Sequence, residues 1–186
     1  LHSASLLAPD NIPIHIDYIQ VLRKRQQHLA AQEQASKLLE REPSNPQFQS
    51  IYAVQCMQSG QFDEALATFD ELLKILPNDP VTLTSQGHAL KTKGESTSAI
   101  TSYQQAIASY PRHGEAYFSL ANLKTYRFSD EEIQQMLVLQ QDDNLSFMER
   151  VHLCFALGKA FEDNKDIEQS FDFYEQGNRL KKSQSR

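Results

Sequence analysis

The stretch "GQFDEALATFDELLKILPND", Gly60 to Asp79, has the pattern of a packed helix with both of its ends. A glycine at Gly60 suits the turn that follows a preceding helix. Ala65 and Phe69 are four residues apart, so they lie on one face, and the small Ala65 lets another helix approach closely. Pro77 cannot continue the helix. The stretch therefore predicts a helix between Gly60 and Pro77 that packs through Ala65 and Phe69.

Proline returns at a fixed interval along the first two thirds of the chain. The spacing is 34 residues at each step between Pro9, Pro43, Pro77 and Pro111. A period of this length indicates a repeat protein in which each unit packs on its neighbours. The clearest unit is 46–79. The next unit, 80–113, keeps the same small, glycine and aromatic positions at Gly87, Leu90, Gly94, Ala99, Tyr103 and Ala106.

This pattern resembles the tetratricopeptide repeat (TPR), in which 34 residues form a helical hairpin closed by proline. The resemblance implies an all-α fold, a right-handed α-solenoid of TPR helical hairpins (an α-α superhelix). We expect one array over 1–186 with about four and a half to five units, and no strand. Its parts are 1–11 as the tail of a truncated unit, repeats at 12–45, 46–79 and 80–113, a modified unit at 114–146, and 147–186 as the last repeat and the start of a linker.

The modified unit departs from the pattern after its first helix, which we predict over Gly114 to Tyr126. The usual turn is replaced by "RFSDEEIQQMLVLQQ". Ser129 followed by Glu132 is a capping box, so a helix is expected from about Asp130 to Gln140. A second capping box, Ser146 with Glu149, comes before the last repeat.

The last repeat contains "FALGKAFEDNKD", in which Gly158 and Lys159 need an interpretation. A phosphate-binding loop requires G-x-x-x-x-G-K-[ST] between a strand and a helix. Here Ala160 follows the lysine and no strand pattern precedes it. We interpret Gly158 as a packing residue that lets a helix at Val151–Asp163 approach a paired helix at Ile167–Lys181.

Composition excludes several kinds of function. The net charge of −6 gives no general attraction to nucleic acid or to anionic membranes. No apolar run is long enough to span a membrane, and the two cysteines form no disulfide framework, which fits a reducing, cytoplasmic location. The six histidines form no metal-binding motif. We predict no catalytic, cofactor-binding or metal-binding residues, and therefore no cofactor and no enzyme activity in this segment.

A narrower resemblance lies in the last third of the chain. The stretches "ANLKTYRFSDEEI" and "HLCFALGKAFEDNKDIEQSFDFYEQGN" are similar to the region that joins the repeats to the catalytic domain in bacterial TPR-containing sulfotransferases. That family binds 3′-phosphoadenosine 5′-phosphosulfate through a loop resembling P-R-S-G-T-T, which this chain lacks. The resemblance implies that the chain is the non-catalytic amino-terminal segment of a longer, sulfotransferase protein. A free-standing TPR adaptor is the alternative.

Either role needs a binding surface, and in this class the first helices of the hairpins line a concave groove. The groove is expected to hold a protein or peptide partner, or the parent's own downstream catalytic domain. Side chains at repeat positions 2, 5, 9 and 12 face it. In the three central units these are Gln47, Ser50, Val54, Met57, Val81, Thr84, His88, Lys91, Glu115, Phe118, Asn122 and Thr125.

Overall fold

The computed structural model describes residues 11–185. Within this range the chain forms ten α-helices, joined by turns, and no strand. The expected tail at 1–11 lies almost entirely outside them. The helices are α1 Ile12–Lys24, α2 His28–Arg41, α3 Pro46–Gln58, α4 Phe62–Ile75, α5 Pro80–Thr92, α6 Ser96–Ser109, α7 Gly114–Ala121, α8 Asp130–Gln140, α9 Phe147–Asp163 and α10 Ile167–Gln184. The chain divides into two compact units between Glu95 and Ser96, called unit 1 and unit 2 below.

Unit 1 contains α1 to α5, and its first helices begin in the same way. Asn45 and Asp79 accept hydrogen bonds from backbone N–H groups of the first turn, and a proline occupies the first helical position after each. These features satisfy exposed N–H groups and preset the backbone for a helix. Gly60 has φ +78°, a conformation that favours glycine. The predicted turn at Gly60 is therefore confirmed.

The core of unit 1 is built from the small and aromatic positions predicted for the repeat. One cluster joins α1, α2 and α3 through Ile19, Ala35 and Phe48. A second cluster joins α3, α4 and α5, where Ala65 and Phe69 pack with Ala89. Ala65 and Phe69 are 0% and 1% exposed. The packing role predicted for these two residues from the sequence is confirmed.

Unit 2 contains α6 to α10, and two of its helices begin with serine capping boxes in place of proline. Ser129 and Glu132 form the first box, and Ser146 and Glu149 form the second, each with both reciprocal hydrogen bonds. The predicted helix at Asp130–Gln140 has these bounds. The first helix of the last repeat, α9, starts at Phe147 and not at the predicted Val151. The capping box of Ser146 and Glu149 begins the helix four residues earlier.

The first helix of the modified unit is shorter than predicted. It ends at Ala121, and the prediction of a helix to Tyr126 is wrong. The chain after it is held by tertiary contacts that a straight helix would not allow. Leu123 and Phe128 are buried, and the Tyr126 hydroxyl donates to the Glu132 carboxylate of α8 at 2.5 Å. Burial of these side chains outweighs the helical preference of the local sequence.

Candidate functional site

The groove positions of unit 1 lie on α3 and α5 and differ in exposure. Gln47 is exposed, and Ser50, Val54 and Met57 are half-buried. On α5, Val81 is 61% exposed, His88 is half-buried and Lys91 is exposed. These side chains form a mixed surface without a concentration of charge or of rings.

Thr84 does not belong to that surface. It is 2% exposed, and its hydroxyl donates to the backbone carbonyl of Pro80 at 2.7 Å. A threonine side chain in a helix makes this bond to its own preceding turn. The prediction that Thr84 faces a partner is therefore corrected.

Two of the four predicted positions in the modified unit lie beyond the helix. Asn122 is the C-cap residue of α7, and Thr125 lies in the following turn. Both are exposed, but they do not stand one helical turn apart on a common face as predicted. The early end of α7 is the reason. Glu115 and Phe118 keep their places on the helix.

Phe118 is part of a continuous set of rings on α7, α9 and α10. Its ring stacks on His152 with centroids 5.2 Å apart and contacts Phe155 at 6.1 Å. Phe155 meets Tyr174 at 6.3 Å, and the Lys181 ammonium lies 5.4 Å from the Phe155 ring centroid. We call these five residues the aromatic face of unit 2. The four ring residues are half-buried, and Lys181 is exposed.

Close approach of helices positions this face. An added Cβ at Gly158 would come within 2.8 Å of the Tyr174 ring, and one at Gly177 within 3.0 Å of the Phe155 ring. The absence of side chains at both glycines lets α9 and α10 bring Phe155 and Tyr174 together. The close approach predicted for Gly158 is confirmed.

His152 experiences opposing electrostatic effects. Burial lowers its pKa most strongly, the Glu115 carboxylate raises it, and His113 and Lys181 lower it further. The net effect keeps the imidazole neutral near pH 7, because its pKa falls below the ordinary value. A neutral ring suits stacking against Phe118 and contact with an apolar side chain.

The sequence prediction omitted His152, Phe155, Tyr174 and Lys181. The first two could have been found. With Gly158 at the glycine position of the repeat, His152 and Phe155 occupy positions 2 and 5, the same positions as Glu115 and Phe118. Tyr174 and Lys181 lie on a second helix, where the rule for groove positions does not apply.

Lys159 has a structural partner within its own helix. Its ammonium pairs with Asp163, which also accepts from Arg127 at 3.2 Å. Asp163 is the least exposed of the three, at 11% of its side chain. Among residues 11–185, no three His, Cys, Asp or Glu side chains are arranged to hold a metal ion. In the same range no helix has the length and apolar character needed to cross a membrane.

Comparison with known families gives the class of the protein. A tetratricopeptide repeat family model matches residues 19–80 and 84–123, more than half of the chain, and a second tetratricopeptide repeat model matches residues 151–184. The chain belongs to the tetratricopeptide repeat family. The unmatched stretch between 123 and 151 contains α8, the second helix of the modified unit.

Solved structures share this fold at low sequence identity. A structure of nearly identical TPR-like repeats from Podospora anserina has a TM-score of 0.67 and 16% identity, over 96% of this chain and 99% of that chain. MamA from Desulfovibrio magneticus RS-1 has a TM-score of 0.64 and 17% identity, over 94% and 97%. YrrB, described as a TPR protein with an unusual peptide-binding site, has a TM-score of 0.59 and 17% identity, over 95% and 91%.

These likenesses confirm the fold class, an all-α solenoid of TPR hairpins. No curated protein sequence matched the chain. The narrower resemblance to sulfotransferases stays a prediction.

Proposed function

We propose that this segment is a non-catalytic scaffold that binds a peptide of a protein partner on the aromatic face of unit 2. The continuous rings of Phe118, His152, Phe155 and Tyr174 carry the proposal. Aromatic side chains offer large apolar area at low entropic cost and dominate many protein interfaces. Their half-exposure leaves part of each ring available to a partner.

Charged residues beside the rings narrow the range of peptides that we expect to bind. The Lys181 ammonium lies over the Phe155 ring, and the exposed Glu115 carboxylate is close enough to His152 to raise its pKa. We expect a peptide with an apolar or aromatic anchor flanked by polar groups, as at other groove-binding surfaces. The YrrB description shows that a chain of this fold has a peptide-binding site.

A peptide-display library tests this proposal. Peptides are first selected for binding to the unmodified segment, and their binding to two variants is then measured. Phe118→Ala combined with Phe155→Ala should weaken the selected peptides by more than about tenfold, as loss of an anchor does. Val138→Ala is the matched control, because Val138 is an exposed apolar residue on α8 and lies outside the face. Equal binding to all three proteins would contradict the proposal.

We further propose that the segment is the amino-terminal, cytoplasmic part of a sulfotransferase that uses 3′-phosphoadenosine 5′-phosphosulfate. The similarity of residues 121–133 and 152–178 to the joining region of that family supports this. In that case the peptide that binds the aromatic face belongs to the parent's own catalytic domain and not to a separate protein. The alternative, a free-standing adaptor, leaves the face open to separate proteins.

The coding sequence that follows Arg186 in the gene distinguishes the sulfotransferase from the free-standing adaptor. A downstream P-R-S-G-T-T-like loop supports the sulfotransferase, and a stop codon or further repeats support the adaptor. In both cases we expect that residues 1–186 alone do not bind the sulfate donor, 3′-phosphoadenosine 5′-phosphosulfate. Calorimetry that detects tight donor binding to residues 1–186 would contradict the non-catalytic role.

A further inference from the structure

His152 is the member of the aromatic face whose side chain changes charge nearest to neutral pH. Its ring is half-buried and stacks on Phe118 with the two ring planes 25° apart. Phe118 in turn contacts Phe155, so the imidazole is continuous with the apolar rings of the face. An apolar anchor that fills the face therefore also covers part of the imidazole.

The imidazole is held in this place by the close approach of α9 to α7. A Cβ added at Gly114 would lie 2.6 Å from the Glu149 carbonyl oxygen and 3.1 Å from the Cβ of His152. The backbone that carries His152 therefore has little room to shift away from α7. A charged imidazole stays at the face unless the ring gives up its stacking contact with Phe118.

Charged and titratable groups reach the imidazole from three parts of unit 2. Burial lowers the pKa of His152 most strongly, and the Glu115 carboxylate on α7 opposes this effect. His113, which precedes α7, and Lys181 on α10 lower the pKa further. The one nearby carboxylate is exposed and does not offset burial and the two bases. The surroundings therefore favour the neutral imidazole.

Covering the face makes a positive charge at His152 still less favourable. A bound apolar anchor removes water from the ring and offers no acceptor to an imidazolium N–H, and loss of solvation without a partner disfavours the charged form. The anchor therefore binds more tightly when the imidazole is neutral. Because coupling between two bound species is reciprocal, proton uptake by His152 must weaken the binding of the anchor.

We propose that the aromatic face is a pH-dependent peptide site, in which protonation of His152 releases the apolar anchor of the peptide. This inference rests on the proposed peptide binding and adds its regulation. Near pH 7 the imidazole is neutral and the face accepts the anchor. As the pH falls through the lowered pKa of His152, the imidazolium forms and the affinity decreases. A single proton limits the decrease to about tenfold per pH unit.

A synthetic pentapeptide tests the proposal on the full chain of 186 residues. It has one tryptophan between two serines on each side and blocked ends, so the peptide itself carries no group that titrates between pH 5.0 and 7.5. The chain contains no tryptophan, so the fluorescence of the peptide reports binding directly. The affinity should be several-fold lower at pH 5.0 than at pH 7.5, and ordinary carboxylates remain largely ionised over this range.

Two histidine variants assign the pH dependence. His152→Phe keeps an aromatic ring and removes the titration, so the affinity should become the same at pH 5.0 and 7.5. His15→Gln is the matched control, because His15 is a buried histidine of unit 1 whose pKa is also lowered by burial. The pH dependence should persist in this variant.

A proton NMR titration of the imidazoles gives a measurement that needs no variant to bind peptide. The midpoint of His152 should lie below the ordinary value for histidine, and a saturating amount of the pentapeptide should lower it further, as reciprocal coupling requires. Lys181→Gln should raise the midpoint in the free chain, and Glu115→Gln should lower it.

Failure of the regulation is distinguishable from failure of the peptide site. The site fails if the pentapeptide binds at no pH, or if Phe118→Ala combined with Phe155→Ala does not weaken it at pH 7.5, and the inference then fails with it. Equal affinity at the two pH values overturns the inference alone. A pH dependence that remains in His152→Phe, or a midpoint that the pentapeptide raises, also overturns it.

Discussion

The turn glycines of unit 1 and the helical glycines of unit 2 have different roles. Gly60 and Gly94 of unit 1 have φ +78° and +86°, and nothing lies within 4 Å of an added Cβ. Gly114, Gly158 and Gly177 of unit 2 lie in helices, where an added Cβ would meet another helix at 2.6 to 3.0 Å. In unit 1 these turn glycines permit a backbone conformation, and in unit 2 glycine permits contact between helices. The same residue type therefore predicts different consequences of substitution.

The largest effect is expected for Gly158→Leu. The new side chain would collide with the Tyr174 ring, which lies 2.8 Å from the Cβ position, and overpacking of this kind lowers the free energy of unfolding by about 1–3 kcal/mol. Urea denaturation followed by circular dichroism measures the loss. The cost should shrink in a Tyr174→Ala background, because the obstacle is then absent. An undiminished cost there would show that Tyr174 is not the obstacle.

Gly114→Ala should have the next largest effect. Its Cβ would lie 2.6 Å from the backbone carbonyl oxygen of Glu149, which cannot move without shifting α9. We expect a loss of about 2 kcal/mol in the free energy of unfolding, after the small helical gain of alanine. Hydrogen exchange should show the destabilisation at the contact of α7 with α9. Unchanged exchange in both helices would argue against the close approach.

Gly60→Ala should cost less than either. No atom obstructs the new methyl group, so only the positive φ opposes it. The left-handed conformation costs alanine about 1–2 kcal/mol, part of which is offset by a more restricted unfolded chain. The net loss should be about 1 kcal/mol by urea denaturation. A cost equal to that of Gly114→Ala would erase the distinction between the two glycine roles.

Lys165→Gly should produce the smallest change, and of opposite sign. Lys165 has φ +63° at the turn between α9 and α10. Glycine relieves that strain, but it also loosens the unfolded chain, so the free energy of unfolding should rise by only about 0.5 kcal/mol. Gln26→Gly, at φ +58° in unit 1, is the matched control and should behave alike. A fall in stability for both would contradict the strain argument.

Local patterns in the sequence predicted much of this fold. The proline period, the two capping boxes and the packing pair Ala65 and Phe69 each depend on residues close in sequence, and the structure contains all of them. The end of α7 was not predictable in this way. It goes with the burial of Leu123 and Phe128, which no pattern of neighbouring residues indicates.

The candidate site was predicted less completely for a related reason. Repeat register named Phe118, whose ring contacts His152 and Phe155, and the same register applied to the last repeat would have added those two residues. Register did not predict that Thr84 bonds to its own helix or that Lys181 reaches back over Phe155 from α10. Such contacts depend on side-chain conformation and on the distance between helices, which a repeat pattern does not specify.

The two cysteines offer a direct measurement of how each unit opens. Cys56 in unit 1 and Cys154 in unit 2 are both free and 0% exposed, and burial raises the pKa of each thiol. An alkylating reagent reaches either sulfur only when the surrounding helices separate, so the labelling rate reports local opening. Where reclosing is faster than labelling, the ratio of the two rates gives the difference in opening free energy between the surroundings of Cys56 and of Cys154, with no engineered probe.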